Sequence, residues 1–110
     1  MIDSPLDMRT IDKDGDVDVV ALYGELDRTN VDLLETMLRT NDDERRATVV
    51  DLNAATYVDS AGYAVLHRLS QTGRVAIVLS PESLVHRATE IVGIASYDDT
   101  DAAKRAVSPR

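Results

Sequence analysis

Residues 47–79 admit few folds. Thr48–Leu52 and Val75–Leu79 are short apolar runs rich in β-branched residues, and an amphipathic segment between them begins abruptly at Asp59-Ser60. Gly62, Val65, Leu66 and Leu69 fall at i, i+3, i+4 and i+7, the stripe that a helix presents to a sheet. The spacing therefore predicts strand, loop, helix and strand, a βαβ crossover whose two strands lie parallel. Ser60 stands where the strand-side loop turns into the helix, the point at which an open α/β sheet exposes polar chemistry.

The flanking segments extend this unit. Met8–Asp12 and Val17–Tyr23 bracket Lys13-Asp14-Gly15-Asp16, and an Asp-Gly pair between strand-like runs predicts a hairpin with a type I′ turn. Gly24-Glu25-Leu26-Asp27 reads as a turn. Thr29-Asn30-Val31-Asp32 matches a capping pattern and opens a helix that buries Val31, Leu34 and Leu38 and stops near Asn41. Asp42–Arg46 is a solvated connector, and Asn53–Val58 is a loop. Gly73 fits the C′ position of the central helix. Ser80-Pro81 starts a third helix with Leu84, Ala88 and Ile91 on one face, ended by Gly93. Ile94–Tyr97 is a short last strand, and Asp99 or Thr100 caps a brief helix through Val107. The expected class is α/β: one domain over residues 8–107, with a mixed sheet of four to five strands and about four helices packed against it. Residues 1–7 form a flexible leader and 108–110 a tail.

Composition narrows the function. The 110 residues suffice for one core, and because the only aromatics are four tyrosines, that core is aliphatic. Twelve Lys and Arg against 20 Asp and Glu give a net charge of −8, which argues against nucleic acid and anionic membranes and favours a basic protein partner. The absence of Cys excludes disulfides and thiolate zinc sites. No apolar run approaches a membrane span and the amino terminus lacks the pattern of a signal peptide, so a cytoplasmic location is expected.

Groups that converge for catalysis are scarce. Ser60 sits in Asp-Ser-Ala-Gly and lacks the glycine two residues earlier that a nucleophile elbow requires. His67 lies two turns along the same helix, about 10 Å away at ~1.5 Å per residue, and His86 is on another helix. No phosphate-binding glycine pattern is present, and neither a cofactor nor a metal is expected. Asp12, Asp14, Asp16 and Asp18 suggest a calcium loop, but an EF-hand wants Gly at its sixth position and Glu at its twelfth, where this chain has Val17 and Tyr23. The chain reads as a binding protein and not as an enzyme.

Asp59-Ser60 keeps two readings. One of the pair is an N-cap, contributing about 1 kcal/mol. From the residues alone the cap is the first account. The second uses the same geometry, in which a serine at a helix start has an exposed hydroxyl and a phosphate there meets free N–H groups and the positive end of the helix dipole. It adds about −1.5 to −2 charges without melting the helix. Gly62 permits close approach by a partner backbone or by the sheet.

The run Val50-Asp51-Leu52-Asn53-Ala54-Ala55-Thr56-Tyr57-Val58-Asp59-Ser60-Ala61-Gly62-Tyr63-Ala64-Val65-Leu66 resembles the signature of STAS domains, specifically bacterial anti-sigma factor antagonists. Gly24-Glu25-Leu26-Asp27 resembles that family's turn into its first helix, and Leu79-Ser80-Pro81 and Val92-Gly93-Ile94 also fit. The resemblance implies that Ser60 is phosphorylated by a partner that is both anti-sigma factor and serine kinase of the GHKL type. The unphosphorylated form binds that partner and frees a sigma factor, and a phosphatase restores it. It further implies a contact surface of Asp27, Asp59, Ser60, Ala61, Gly62 and Tyr63. Tyr57 and Tyr63 depart from the aliphatic or Phe residues common in the family. The competing implication is a STAS scaffold, a subunit of a stress complex or transporter without phosphorylation at Ser60. A monomer is the default expectation for a short domain without an apolar stripe.

Overall fold

The computed structural model describes residues 6–83, 85, 86, 89 and 93–107. Five strands form one sheet: β1 (Leu6–Asp14), β2 (Val17–Leu26), β3 (Ala47–Asp51), β4 (Ala55–Val58) and β5 (Val75–Val78). The described helices are α1 (Val31–Asp43), α2 (Ser60–Ser70) and α3 (Thr100–Ala106). The mixed α/β sheet expected from the sequence is present, with three helices among the described residues. The third expected helix, with Leu84, Ala88 and Ile91, lies largely outside them, although Ser80 Oγ accepts the Glu82 N–H at 3.3 Å as its cap would. The expected tail, 108–110, and residues 1–5 of the leader also lie outside. Leu6 and Asp7, expected in the leader, belong to β1.

β2 organises the sheet. Val17–Gly24 pair antiparallel with β1, while on the other edge Val17–Ala21 pair parallel with β3 and Gly24–Leu26 pair parallel with β4. β5 continues the sheet parallel to β3, closing the expected βαβ unit around α2. Two expectations fall here. Residues 55–58 are a strand and not a loop, and residues 24–26 belong to β2 and not to a turn. Both errors have one cause: β4 exists only because β2 runs on past β3, a fact about partner length that no local pattern carries. Gly24, at φ +94, sits at a register shift within the β2–β4 pairing, between Gly24 and Glu25.

Smaller corrections follow from local geometry. In the β1–β2 hairpin only Gly15 of the two central residues has positive φ (+61), which excludes type I′ and fits the Gly-first pattern of type II′. The Thr29–Asp32 capping box does not form; Asn30 is the N-cap residue of α1, without a side-chain cap bond. α1 runs to Asp43, and Arg45, at φ +62, supplies the left-handed residue of a Schellman ending in which Arg46 N–H reaches Asn41 C=O at 2.8 Å. Gly73 (φ +76) lies one residue beyond C′, because Gln71 is the C-cap residue of α2. The last expected strand contracts to one bridge, Val78 to Tyr97.

Strand alternation divides the core between two faces. Val20, Leu22, Val50 and Ile77 join Leu34 and Leu38 of α1 and Val65 and Leu66 of α2. Val19, Val49, Ala76 and Val78 turn the other way and meet Ala103 and Val107 at α3. Every one of these core side chains is aliphatic, as the shortage of aromatics requires.

Candidate functional site

The carboxyl ends of β2 and β4 lie side by side, so the two loops that leave them share one rim. Asp59 N–H donates to Leu26 C=O at 3.1 Å, which fixes the start of α2 beside the end of β2. Asp59, not Ser60, is the N-cap: Oδ1 accepts the Gly62 N–H at 2.9 Å. Its Oδ2 accepts the Arg28 N–H at 3.1 Å, tying the 27–30 loop to the helix. One half-buried carboxylate therefore locks both loops.

Ser60 is the first helical residue and is exposed. Among the described residues its hydroxyl has no hydrogen-bond partner, and the N–H groups of Ser60 and Ala61 have no acceptor. A hydroxyl beside unpaired N–H groups at a helix start suits an added phosphate, which those groups and the dipole would stabilise.

Asp27 reaches the same rim but faces its own loop. Its Oδ1 accepts from Thr29 N–H at 2.9 Å and from Thr29 Oγ1 at 2.5 Å, an Asx turn. Behind it the buried Asn30 acts as a brace: its Oδ1 accepts the Asp27 N–H and its Nδ2 donates to Glu25 C=O, both at 2.9 Å. Asn30 had only local sequence signals, and those pointed to a cap.

The remaining expected residues separate by exposure. Ala61 and Tyr63 are half-buried next to Ser60, and the Tyr63 ring packs against the core. Burial, and then the neighbouring Tyr57, push the Tyr63 phenol above its usual range. Tyr57 itself is 52% exposed on β4. Gly62, expected on the contact surface, is buried. A Cβ there would meet Val58 Cγ1 at 2.7 Å and the Leu26 carbonyl oxygen at 2.9 Å. Gly62 thus lets α2 sit against the sheet.

Arg28 was missed. No nearby cation was evident from the sequence, yet the Arg28–Asp59 contact brings an exposed guanidinium-bearing residue to the Ser60 rim across 31 residues of chain. Only the β2–β4 register could have revealed it. His67 is exposed in the last turn of α2, two turns from Ser60. At the opposite end of the sheet three of the four aspartates of the calcium pattern, Asp12, Asp14 and Asp18, have cationic partners within the chain. Lys104 Nζ lies 2.8 Å from Asp12 and 3.2 Å from Asp14, and Asp18 holds Arg46. No helix among the described residues is long and apolar enough to cross a membrane.

A family model described as "Mlab, STAS domain" matches residues 10–96. The fold is similar to the crystal structure of an anti-sigma factor antagonist from Mycobacterium paratuberculosis, with TM-score 0.72 and 23% identity over 94% of this chain and 95% of that one. It is also similar to the anti-sigma factor antagonist SpoIIAA in its unphosphorylated form, with TM-score 0.58 and 18% identity over 91% and 94% of the two chains. An uncharacterized Shewanella loihica protein with a SpoIIAA-like fold gives TM-score 0.59 and 15% identity, covering 98% and 99%. At these identities the likeness establishes the fold. A search of curated proteins gave no match.

Proposed function

The chain belongs to the STAS domain family, and from that membership we propose that it is an anti-sigma factor antagonist switched by phosphorylation of Ser60. Unphosphorylated, it binds an anti-sigma factor that is also a GHKL-type serine kinase, and the sigma factor is released. Phosphorylated, it lets that partner go until a phosphatase removes the group. The protein is the kinase's substrate and not itself an enzyme, and the exchange takes place in the cytoplasm.

One observation carries this reading. The helix start is capped by Asp59, which leaves the exposed Ser60 hydroxyl uncommitted. Modification at Ser60 therefore changes the surface without removing a bond that holds the fold. Two similar structures are described as anti-sigma factor antagonists, and one of them as an unphosphorylated form, which supports the same assignment here. A dianion placed at the centre of a packed interface must be desolvated or repelled, and it costs several kcal/mol of affinity unless the partner compensates it.

The surface presented to the partner is the rim of Asp27, Arg28, Ser60, Ala61 and Tyr63, with Gly62 setting the height of the helix behind it. The test compares Ser60→Ala with Ser60→Asp in capture of the kinase from native cells. Ser60→Ala retains the GHKL-type partner and Ser60→Asp loses it, with both variants folded. Equal capture by the two variants contradicts the switch and leaves a scaffold role.

A further inference from the structure

We propose that a cleft between α1 and α2, at the far end of the helices from Ser60, is a second binding site for a small organic anion with a compact apolar body. The cleft encloses about 310 Å³, the lower end of the range for small-molecule sites. Arg39, Arg46, Arg68 and Arg74 line it, against the carboxylates Glu35 and Asp42. Four of the chain's 12 Lys and Arg residues thus gather on one cleft of a molecule whose net charge is −8. Leu38, Leu69 and Val75 supply apolar wall between them.

Structural duties account for only part of this concentration. Arg46 pairs with the buried Asp18 at 2.6 Å, Arg74 with Asp42 at 2.7 Å, and Arg68 with Glu35. Arg39 has no ion pair or hydrogen bond among the described residues. Helix capping does not need it either. The carbonyls that end α1 receive the N–H groups of Glu44, Arg45 and Arg46, and those that end α2 receive Gln71, Thr72 and the Ser70 and Thr72 hydroxyls. Arg39 and the 59%-exposed Arg68 stand on the two helices that form the walls of the cleft. Arg39 on the α1 wall, unpaired among the described residues, and the N–H groups of Arg68 not taken by Glu35 on the α2 wall, beside Leu38, Leu69 and Val75, match a carboxylate or phosphate monoester whose body is a single ring or a short alkyl chain. Arg68 lies eight residues along α2 from Ser60, about 12 Å at ~1.5 Å per residue, so the site is distinct from the rim.

The test is a backbone amide NMR titration of the full chain at low ionic strength, with phenyl phosphate and benzoate as probes and benzyl alcohol as the uncharged control. The account expects saturable shifts from at least one anion, confined to residues 35–48 and 68–75. Arg39→Gln, at an exposed position that holds no bond in the fold, weakens that binding about tenfold or more without moving the melting temperature. Arg68→Gln weakens it as well. Shifts that do not saturate, shifts centred on residues 60–63, equal binding of benzyl alcohol, or unchanged affinity in Arg39→Gln would each overturn the site.

Discussion

Both carboxylate oxygens of Asp59 are engaged, one by the Gly62 N–H and one by the Arg28 N–H. Ser60, its neighbour, has no such engagement. Asp59→Ala is therefore expected to lower unfolding stability by about 1–2 kcal/mol, with Ser60→Ala within about 0.5 kcal/mol of the parent, measured by urea denaturation. A larger loss in Ser60→Ala than in Asp59→Ala would reverse the assignment of cap and acceptor. The pair was legible in the sequence because a polar dyad immediately before an apolar helical stripe can only be a helix start. Which member caps was not legible, since Asp and Ser are both good N-caps. Arg28 was invisible for a different reason: its relation to Asp59 spans two strands whose pairing has no local signature.

At the scale of elements, α2 is held at its height by a missing side chain. Gly62 brings the helix so close to the sheet that a methyl group would press on Val58 and on the backbone oxygen of Leu26. The side chain can shift; the strand carbonyl cannot do so cheaply. Gly62→Ala gains helix propensity of up to about 1 kcal/mol, but overpacking costs more, and a net loss of about 1–2 kcal/mol is expected in thermal or urea unfolding. A variant as stable as the parent would show that α2 can lift freely. The i, i+3, i+4, i+7 stripe made this helix and its buried face readable. β4 was not readable because four residues, Ala-Thr-Tyr-Val, are too few to show a period and become a strand only beside the overhanging end of β2. Likewise the Thr29–Asp32 box was a sound local pattern that lost to a tertiary demand. Asn30 is needed to brace Asp27 and Glu25, so the helix starts one residue later than the box would have it.

Across the whole molecule, ion pairs reinforce the strand pairing: Asp18 of β2 holds Lys13 of β1 on one side and Arg46, just before β3, on the other. Burial alone would raise the Asp18 carboxyl, but the hydrogen bond and charge of Arg46, aided by Lys13, hold it below the usual carboxylate range. Because the folded value lies below the unfolded value of about 3.9, this contribution is present above about pH 4 and is lost as pH falls through the folded value. Arg46→Met is expected to lower stability at pH 7, with Lys13 left as the one cation beside Asp18 among the described residues. Its deficit relative to the parent should shrink in urea titrations below about pH 4, where Asp18 can become neutral. A deficit independent of pH would place the loss in packing instead. These ties were unreadable from the sequence, whereas the class of the fold followed from the βαβ unit and the aliphatic core from composition. The same architecture sets Ser60, exposed and first in α2, on a rim capped by Asp59, where the proposed phosphate would change the charge and not the fold. The most direct measurement of that claim is intact mass with phosphosite mapping on the protein from its native cells, during growth and under stress. The account predicts a single phosphate, on Ser60, whose occupancy changes with condition. An unmodified Ser60 in every condition, or phosphate at another residue alone, would contradict it.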